Sequence, residues 1–387
     1  MNVQYSIVGG GIAGLTLANL LQKNKIPFQV YDKSPAINPK GHGFIIPQEG
    51  LVILSEILDW DQIIRKGNYI HLYEAFNDRG ELLASIDTGG VFAISRPALL
   101  ESLYERIDPA NVHFNKEIEQ VTVKGQQIRA IQFTDQTTIR PEMVVASDGV
   151  GSMLRKQIFP TSNLESVGYH EVVCTIEHPA LVEFLGKRLL KFHHHAGGRA
   201  FGMLKISPTK LIWYVQFDTQ RFPLPAGGAS VLKQFIEQYF GDWCAPVQAV
   251  IQASDFQNAH HWQLFELHNL PTYAAGNTIL LGDAAHPVLP FTSQGVVSAQ
   301  KDAKVLTELI KSKLEQETLF STYSETRMAE MQEHFDNGKA MMNNFLLPLK
   351  QQSVGIPMSV KIPAGNLRRA FRSTSQNPPP SGINVAI

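Results

Sequence analysis

Tyr5-Ser6-Ile7-Val8-Gly9-Gly10-Gly11-Ile12-Ala13-Gly14 is the stretch on which the reading of this 387-residue chain turns. Four residues suited to a strand run straight into glycines, and residues 13–23 then carry Leu15, Ala18 and Leu21 on one helical face. Gly9, Gly11 and Gly14 fit G-x-G-x-x-G in the strand–turn–helix setting that gives the pattern its meaning. Gly9 permits the tight turn, Gly11 lets backbone approach a pyrophosphate, and Gly14 lets helix and strand pack closely. The helix start, at Ile12 and Ala13, offers free N–H groups and the positive end of a dipole to phosphate. A second strand at residues 26–31 ends at Asp32, whose carboxylate can accept from ribose hydroxyls. A dinucleotide on the opening of a parallel sheet is the expectation.

Further along, residues 51–58 and 97–106 read as helices, with Arg96 immediately before the second. Residues 76–87 read as a hairpin turning at Asn77-Asp78-Arg79-Gly80. Met143-Val144-Val145-Ala146 is a buried-type strand leading to a turn at Asp148-Gly149. From about 168 to 218 the texture changes to strands separated by turn residues, at 171–176, 189–193, 201–206 and 211–217, which predicts mostly antiparallel sheet. A helix at 230–240 follows, and the parallel texture resumes at Thr278-Ile279-Leu280-Leu281 before a loop and a helix at 297–314. An NAD dehydrogenase would continue from its first unit with further alternating strands and helices. The interleaving found instead suits FAD, whose isoalloxazine reaches a second domain.

The fold class expected is therefore α/β. A Rossmann-like FAD-binding domain (1–70, 90–165 and 270–320) is interleaved with a mainly antiparallel substrate domain (71–89 and 166–269). A C-terminal helical segment at 321–373 precedes a tail at 374–387 whose composition predicts mobility.

Composition narrows the partners. Thirty-four Lys and Arg against thirty-five Asp and Glu leave a net charge of −1, so nucleic acid is not an expected partner. Cys174 and Cys244 cannot build a disulfide framework or a cysteine-rich metal site. The N-terminus carries no secretory pattern, and no unbroken apolar run reaches the ~18–20 residues of a membrane span, so the expectation is a cytoplasmic protein.

Four segments, in order, resemble the FAD-dependent aromatic hydroxylases, the class A flavoprotein monooxygenases that include para-hydroxybenzoate hydroxylase. They are the glycine loop with Asp32, Gly41-His42-Gly43-Phe44-Ile45-Ile46-Pro47, Ser147-Asp148-Gly149 through Arg155, and Leu281-Gly282-Asp283-Ala284-Ala285-His286-Pro287 running on through Pro290, Gln294-Gly295 and Asp302-Ala303. The resemblance spans residues 5–330 or so. It implies cofactor contacts from Gly9, Gly11, Ile12, Ala13, Gly14, Asp32, Lys33, Gly43, Arg96, Asp148, Gly282, Asp283, Pro290, Gly295, Val296 and Val297. Asp283 would accept from hydroxyls in the middle of FAD, and Arg96 would reach the pyrophosphate with a guanidinium fork. His286 is expected to pack or cap the turn, and Ser152 and Arg155 to be helix-start residues. Asp32 stands where the family usually has Glu, Ser293 where Gly is common, Val297 where Asn is common, and Lys301 where an acid is common.

The activity implied is hydroxylation of a small aromatic or polycyclic substrate by FAD, NAD(P)H and O₂ through a flavin C4a-hydroperoxide. The flavin itself carries the chemistry, so no side chain is assigned as catalytic. A flavin reductase or oxidase on the same scaffold is the alternative, with a non-catalytic FAD-binding protein behind it. Phe291 and Thr292, beside Pro290, and Gln216 are the pocket candidates, with Arg199, Met203, Trp213 and Phe217 as further ones. His193-His194-His195 invites a metal, but adjacent strand residues face opposite ways and no nearby acid completes a set, so no metal is expected. Residues 325–349 read as one or two apolar-faced helices.

Overall fold

All four residues of β1 (Tyr5–Val8) are buried, as a strand covered on both faces requires. In the computed structural model, which describes residues 4–37 and 41–353, β1 leads through α1 (Ile12–Lys23) to β2 (Phe28–Tyr31). Next come β3 (Gly43–Ile46), α2 (Gln48–Ser55), α3 (Trp60–Lys66), the hairpin of β4 (Gly67–Asn77) and β5 (Leu82–Ser95), and α4 (Arg96–Tyr104). β6 (Val112–His113), β7 (Ile118–Lys124), β8 (Gln127–Phe133), β9 (Thr138–Ile139), β10 (Met143–Ala146) and α5 (Met153–Ile158) complete the first half. The middle holds β11 (Asn163–Glu177), α6 (Pro179–Leu185), β12 (Arg188–His193), β13 (Arg199–Lys205), β14 (Lys210–Asp218), α7 (Ala229–Phe240), α8 (Ala245–Gln252) and β15 (His260–His268). The chain returns through β16 (Ala274–Ala275), β17 (Thr278–Leu280), α9 (Gly295–Lys311) and α10 (Gln316–Leu346).

Six strands form one sheet in the order β16-β17-β10-β1-β2-β6, parallel except where β16 runs against β17. Eight form a second, β15-β11-β14-β13-β12-β4-β5-β3, antiparallel except for the β12–β4 pair. A small third sheet, β7-β8-β9, was not foreseen, because its strands alternate apolar and exposed residues only weakly. The large sheet also takes in more than the segments 71–89 and 166–269. β3 pairs with the end of β5, Gly43 opposite Ser95, a long-range partnership that local pattern does not announce. Among the described residues the terminal helical segment is formed largely by α10, a helix of 31 residues that begins at Gln316; residues 354–387, including the end of that segment and the expected mobile tail, lie outside the described residues. No helix among the described residues is long and apolar enough to cross a membrane.

The large sheet has two differently used faces. Val172, Cys174, Phe192, Phe201, Met203, Trp213, Val215 and Phe217 join residues of α6, α7 and α8 in one core. Val173, Leu189, Leu204, Ile212 and Tyr73 form a separate core on the opposite face. Met203, Trp213 and Phe217 are thus wall residues under the helices and do not line the pocket as expected. Their strands are apolar on both sides, so period-two alternation could not tell the faces apart.

Candidate active site

Register brings the sequence motifs to one edge. Val8 lies opposite Ala146, Ala146 opposite Leu280, and Val8 opposite Tyr31. Because these strands are parallel, the turns that begin at Gly9, Asp32, Ser147 and Leu281 all leave the same end of the sheet. That end is where open α/β sheets bind their ligands.

The first turn is shaped by what a side chain would hit. Gly9 has φ +107°, and a Cβ there would stand 2.3 Å from the Ser147 carbonyl oxygen. A Cβ on Gly14 would stand 2.0 Å from the Gly9 carbonyl oxygen, so α1 can only approach the strand this closely without one. A Cβ on Gly11 would meet nothing within 4 Å, which is the open cradle a diphosphate requires. Among the described residues, the N–H groups of Ile12, Ala13 and Gly14 have no partner, and the N-cap, Gly11, has no side chain to supply one. The residues present therefore fit the diphosphate of a dinucleotide.

Asp32 is held by two backbone donors, Gly10 N–H at 2.6 Å and Ser34 N–H at 2.8 Å. These fix the carboxylate and leave it further lone pairs to offer. Arg96 is half-buried; burial pushes its pKa down and the neighbouring Asp32 charge pulls it up. Its backbone N–H donates to the His42 carbonyl at 3.1 Å, and its Cδ would stand 2.5 Å from a Cβ on Gly41. Gly43 is less open than expected, since a Cβ there would meet Ile206 and the Ile94 carbonyl at 3.1 Å. Lys33 is exposed beside Asp32.

Asp148 accepts from Ser152 Oγ at 2.5 Å and from the N–H groups of Met153 and Leu154 at 2.9 and 3.3 Å. It caps α5 and thereby aims Arg155. That arginine, 1% exposed, donates to the carbonyls of Ala284 at 2.8 Å and Val150 at 2.6 Å. Arg155 lies in the first turn of α5, the helix-start position expected of it. In the fold it is the clamp that ties the Asp148 turn to the Gly282-Asp283 turn. Asp283 itself is exposed at the sheet edge; desolvation by the surrounding protein pushes its pKa up, while the His286 charge pulls the other way.

Beneath that turn lies a buried charge network. Asp302 accepts from Gly282 N–H at 2.7 Å, His286 Nε2 at 2.7 Å and Arg327 Nε at 2.6 Å, and Asp302 and Arg327 are both fully buried. His286 is therefore a structural histidine on a carboxylate, as its position in the motif led one to expect. Lys301 pairs with Glu330 at 2.6 Å and with Glu49, and Glu330 pairs with Arg327. The basic residue at 301 is thus balanced by partners distant in sequence.

Pro290 opens a short turn that ends at Ser293, φ +52°, in the left-handed region where a glycine would be relaxed. The helix α9 then starts at Gly295 without a side-chain cap. The N–H groups of Gly295, Val296 and Val297 have no partner among the described residues. Val297 is fully buried, with its Cγ2 3.2 Å from where a Cβ on Gly50 would stand. Only its backbone can face a ligand.

Above this turn stands the other face of the large sheet. Phe291 stacks on Tyr169 at 4.4 Å, and Phe345 at the end of α10 closes on both rings at 5.5–5.6 Å. Thr292 is buried, its hydroxyl donating to the Leu289 carbonyl at 3.3 Å. Gln216 donates through Nε2 to Glu171 at 2.7 Å, Glu171 also accepts from Tyr169 at 2.7 Å, and Gln216 Oε1 has no partner. Lys191 lies 5.8 Å from the Phe291 ring and 6.0 Å from the Tyr214 ring. Glu171, Lys191 and Tyr214 were missed, although a lysine and a glutamate inside otherwise apolar strands were a visible signal. The acid missing from the histidine run is supplied by the hairpin: Asp78 sits 2.7 Å from His195 and 3.5 Å from His194. Arg199 Nη2, 2.7 Å from His194, puts a cation where a metal would compete, and its guanidinium lies 4.6 Å from the Phe222 ring, away from the pocket.

Comparison with known proteins agrees with this geometry. The chain is 26% identical over 333 residues to 2-heptyl-3-hydroxy-4(1H)-quinolone synthase of Pseudomonas aeruginosa, covering 83% of this chain and 85% of that one. It is 24% identical over 328 residues to 6-hydroxynicotinate 3-monooxygenase of Pseudomonas fluorescens, covering 80% and 82%. Among solved structures, Klebsiella pneumoniae HpxO complexed with FAD and uric acid superposes with a TM-score of 0.79 at 20% identity, covering 90% of each chain. With the family model described as "FAD binding domain" matching residues 2–337, the chain belongs to that family of flavoproteins and is an FAD-dependent monooxygenase.

Proposed function

We propose that the protein hydroxylates a small aromatic or heteroaromatic ring held between the Phe291 turn and the Glu171–Lys191 face of the large sheet. The observation that carries the reading is the convergence of four turns at one sheet edge below a sheet face bearing buried polar groups. Relatives with named substrates support it, since 6-hydroxynicotinate and 3-amino-4-hydroxybenzoate appear in their names.

FAD, when bound, would accept hydride from NAD(P)H and activate oxygen; the chain's residues would do the rest. Ile12, Ala13 and Gly14 donate to the diphosphate, and Asp32 accepts from the adenosine ribose with Lys33 flanking it. Arg96 and Asp283 hold the middle of the cofactor, with Asp148 acting through Arg155 to set the Asp283 turn. The N–H groups of Gly295, Val296 and Val297, with the α9 dipole, would stabilise negative charge on the reduced flavin. Phe291, Thr292 and Phe345 keep water from the reacting ring. In this reading residues 1–70, 90–165 and 270–320 serve the cofactor, while 71–89 and 166–269 serve the substrate. The cytoplasm is the proposed compartment, in line with a cysteine-poor chain.

The test is direct. Purified protein should be yellow, or become so with FAD, and should oxidise NAD(P)H while transferring one atom of labelled O₂ into an aromatic product. Turnover that continues unchanged without O₂ would overturn the reading.

A further inference from the structure

The large sheet buries one ammonium on the face that looks toward the Phe291 turn. Lys191 is 4% exposed, yet its Nζ makes no hydrogen bond or ion pair among the described residues; the rings of Phe291 and Tyr214 lie 5.8 and 6.0 Å from it, and the Glu171 charge acts on it from further off. Sheet register explains the placement. Lys191 lies opposite Gly202, and Gly202 opposite Tyr214, where a Cβ would stand 2.2 Å from the Tyr214 ring. The glycine therefore lets the tyrosine cross the strand toward the lysine.

Glu171 is the nearest countercharge, but its Oε1 already accepts from Tyr169 and Gln216, both at 2.7 Å. One carboxylate oxygen is thus committed elsewhere, and the ammonium is left without a direct acceptor. Gln216 Oε1, on the same polar cluster, is a buried acceptor without a donor. A buried acceptor with no donor, beside a lysine 4% exposed whose ammonium has no direct acceptor, is costly in a finished core. Together they describe the complement of a ligand: an anionic oxygen for Lys191 and an adjacent N–H for Gln216.

Resting on the monooxygenase reading, we propose that Lys191 is a specificity-determining residue: it binds the ionised ring oxygen of a hydroxylated aromatic or heteroaromatic substrate, with Gln216 accepting from a neighbouring ring or amino N–H. The hydroxyl proton leaves to solvent as the substrate enters, and the charge left on the ring enriches it toward an electrophilic oxygen. Besides Glu171, the titratable groups facing this cluster are Tyr169, Tyr214, Tyr73 and His193. Burial drives all three tyrosines upward and His193 down to about 3, so each stays neutral near pH 7. Burial likewise brings Lys191 down to about 8, against the pull of Glu171. At pH 7 it is still mostly a cation, and an arriving oxyanion raises its pKa again.

The experiment uses FAD-loaded protein and three hydroxylated probes: 6-hydroxynicotinate, 3-amino-4-hydroxybenzoate and 4-hydroxyquinoline. Each is paired with the analogue bearing hydrogen in place of the hydroxyl. At least one hydroxylated probe should bind about tenfold or more tighter than its partner, and its bound ultraviolet spectrum should show the hydroxyl ionising at least about one pH unit below its free value, ~1.4 kcal/mol. Lys191→Met should erase both differences, and Lys191→Arg should keep part of them. FAD content and melting temperature report whether each variant is folded. The wild-type spectral titration stands alone if Lys191→Met does not fold. The proposal is overturned if no hydroxylated probe binds, if the bound hydroxyl stays protonated, or if folded Lys191→Met keeps the preference. Oxygen incorporation is measured separately, so loss of this proposal leaves the monooxygenase reading standing, and loss of that reading does not alter the binding result.

Discussion

At Gly14 a single methyl group decides whether the cofactor has a seat. A Cβ there would sit 2.0 Å from the Gly9 carbonyl oxygen, in the turn that presents the free N–H groups, and 2.8 Å from Ser147 Oγ, in the neighbouring turn after β10. Gly14→Ala should therefore lower stability by about 1–3 kcal/mol and weaken FAD binding by roughly tenfold or more, measured by thermal melts and by flavin fluorescence on titration. Asp32 invites a finer test. Asp32→Asn keeps an acceptor for the Gly10 N–H but loses the charge offered to the ribose. FAD affinity should fall by about 1.5–3 kcal/mol, with a melting temperature of the cofactor-free protein close to that of the wild type. An unchanged flavin titration would remove Asp32 from the cofactor site.

Elements are joined by the buried Asp302 network, which links the Gly282 turn to α9 and α10. Burial alone would raise the Asp302 pKa, but the His286 and Arg327 charges and the Gly282 N–H outweigh it and hold the carboxyl below its usual range. The native state therefore binds this proton less readily than the unfolded chain does. Stability from Asp302 is fully present above the unfolded carboxyl value of ~3.9 and is lost as pH falls below it toward the native value. Melting temperature measured from pH 7 down to pH 3 should drop, and Asp302→Asn should flatten that acid limb. The same substitution leaves Arg327 buried without its anion and should cost ~3–5 kcal/mol at pH 7. Much of this level was legible beforehand: the glycine turn, Asp32, the hairpin and the late Gly-Asp block all announce themselves by local spacing. Arg155 and Arg327 did not. Their partners are 129 and 25 residues away in sequence, and a buried arginine looks like a surface one until the fold closes over it. The sheet faces were hidden for a related reason: Met203, Trp213 and Gln216 sit in strands apolar enough on both sides that alternation carries no sign.

Across the whole molecule the large sheet divides labour between its faces. Met203 and Trp213 belong to the core under α6–α8, and the Trp213 indole donates to Ser254 Oγ at 2.8 Å. Met203→Ala should cost ~2–5 kcal/mol of stability, yet leave NAD(P)H oxidation and substrate affinity within about twofold at temperatures where the protein stays folded. A selective loss of substrate affinity in that variant would mean the two faces are coupled more tightly than their packing indicates. The far end of the chain adds a different consequence. The end of α10 and the residues after it are fastened to loops of the large sheet by Gly198 N–H to the Phe345 carbonyl at 2.9 Å, Leu349 N–H to the His195 carbonyl at 3.0 Å and Arg221 to the Leu346 carbonyl at 3.0 Å. Phe345 is thereby held in packing contact with Phe291 and Tyr169. A polarity-sensitive dye attached at Ser353 would accordingly serve as an optical gauge of ring entry, reading occupancy in a channel separate from the flavin's own colour.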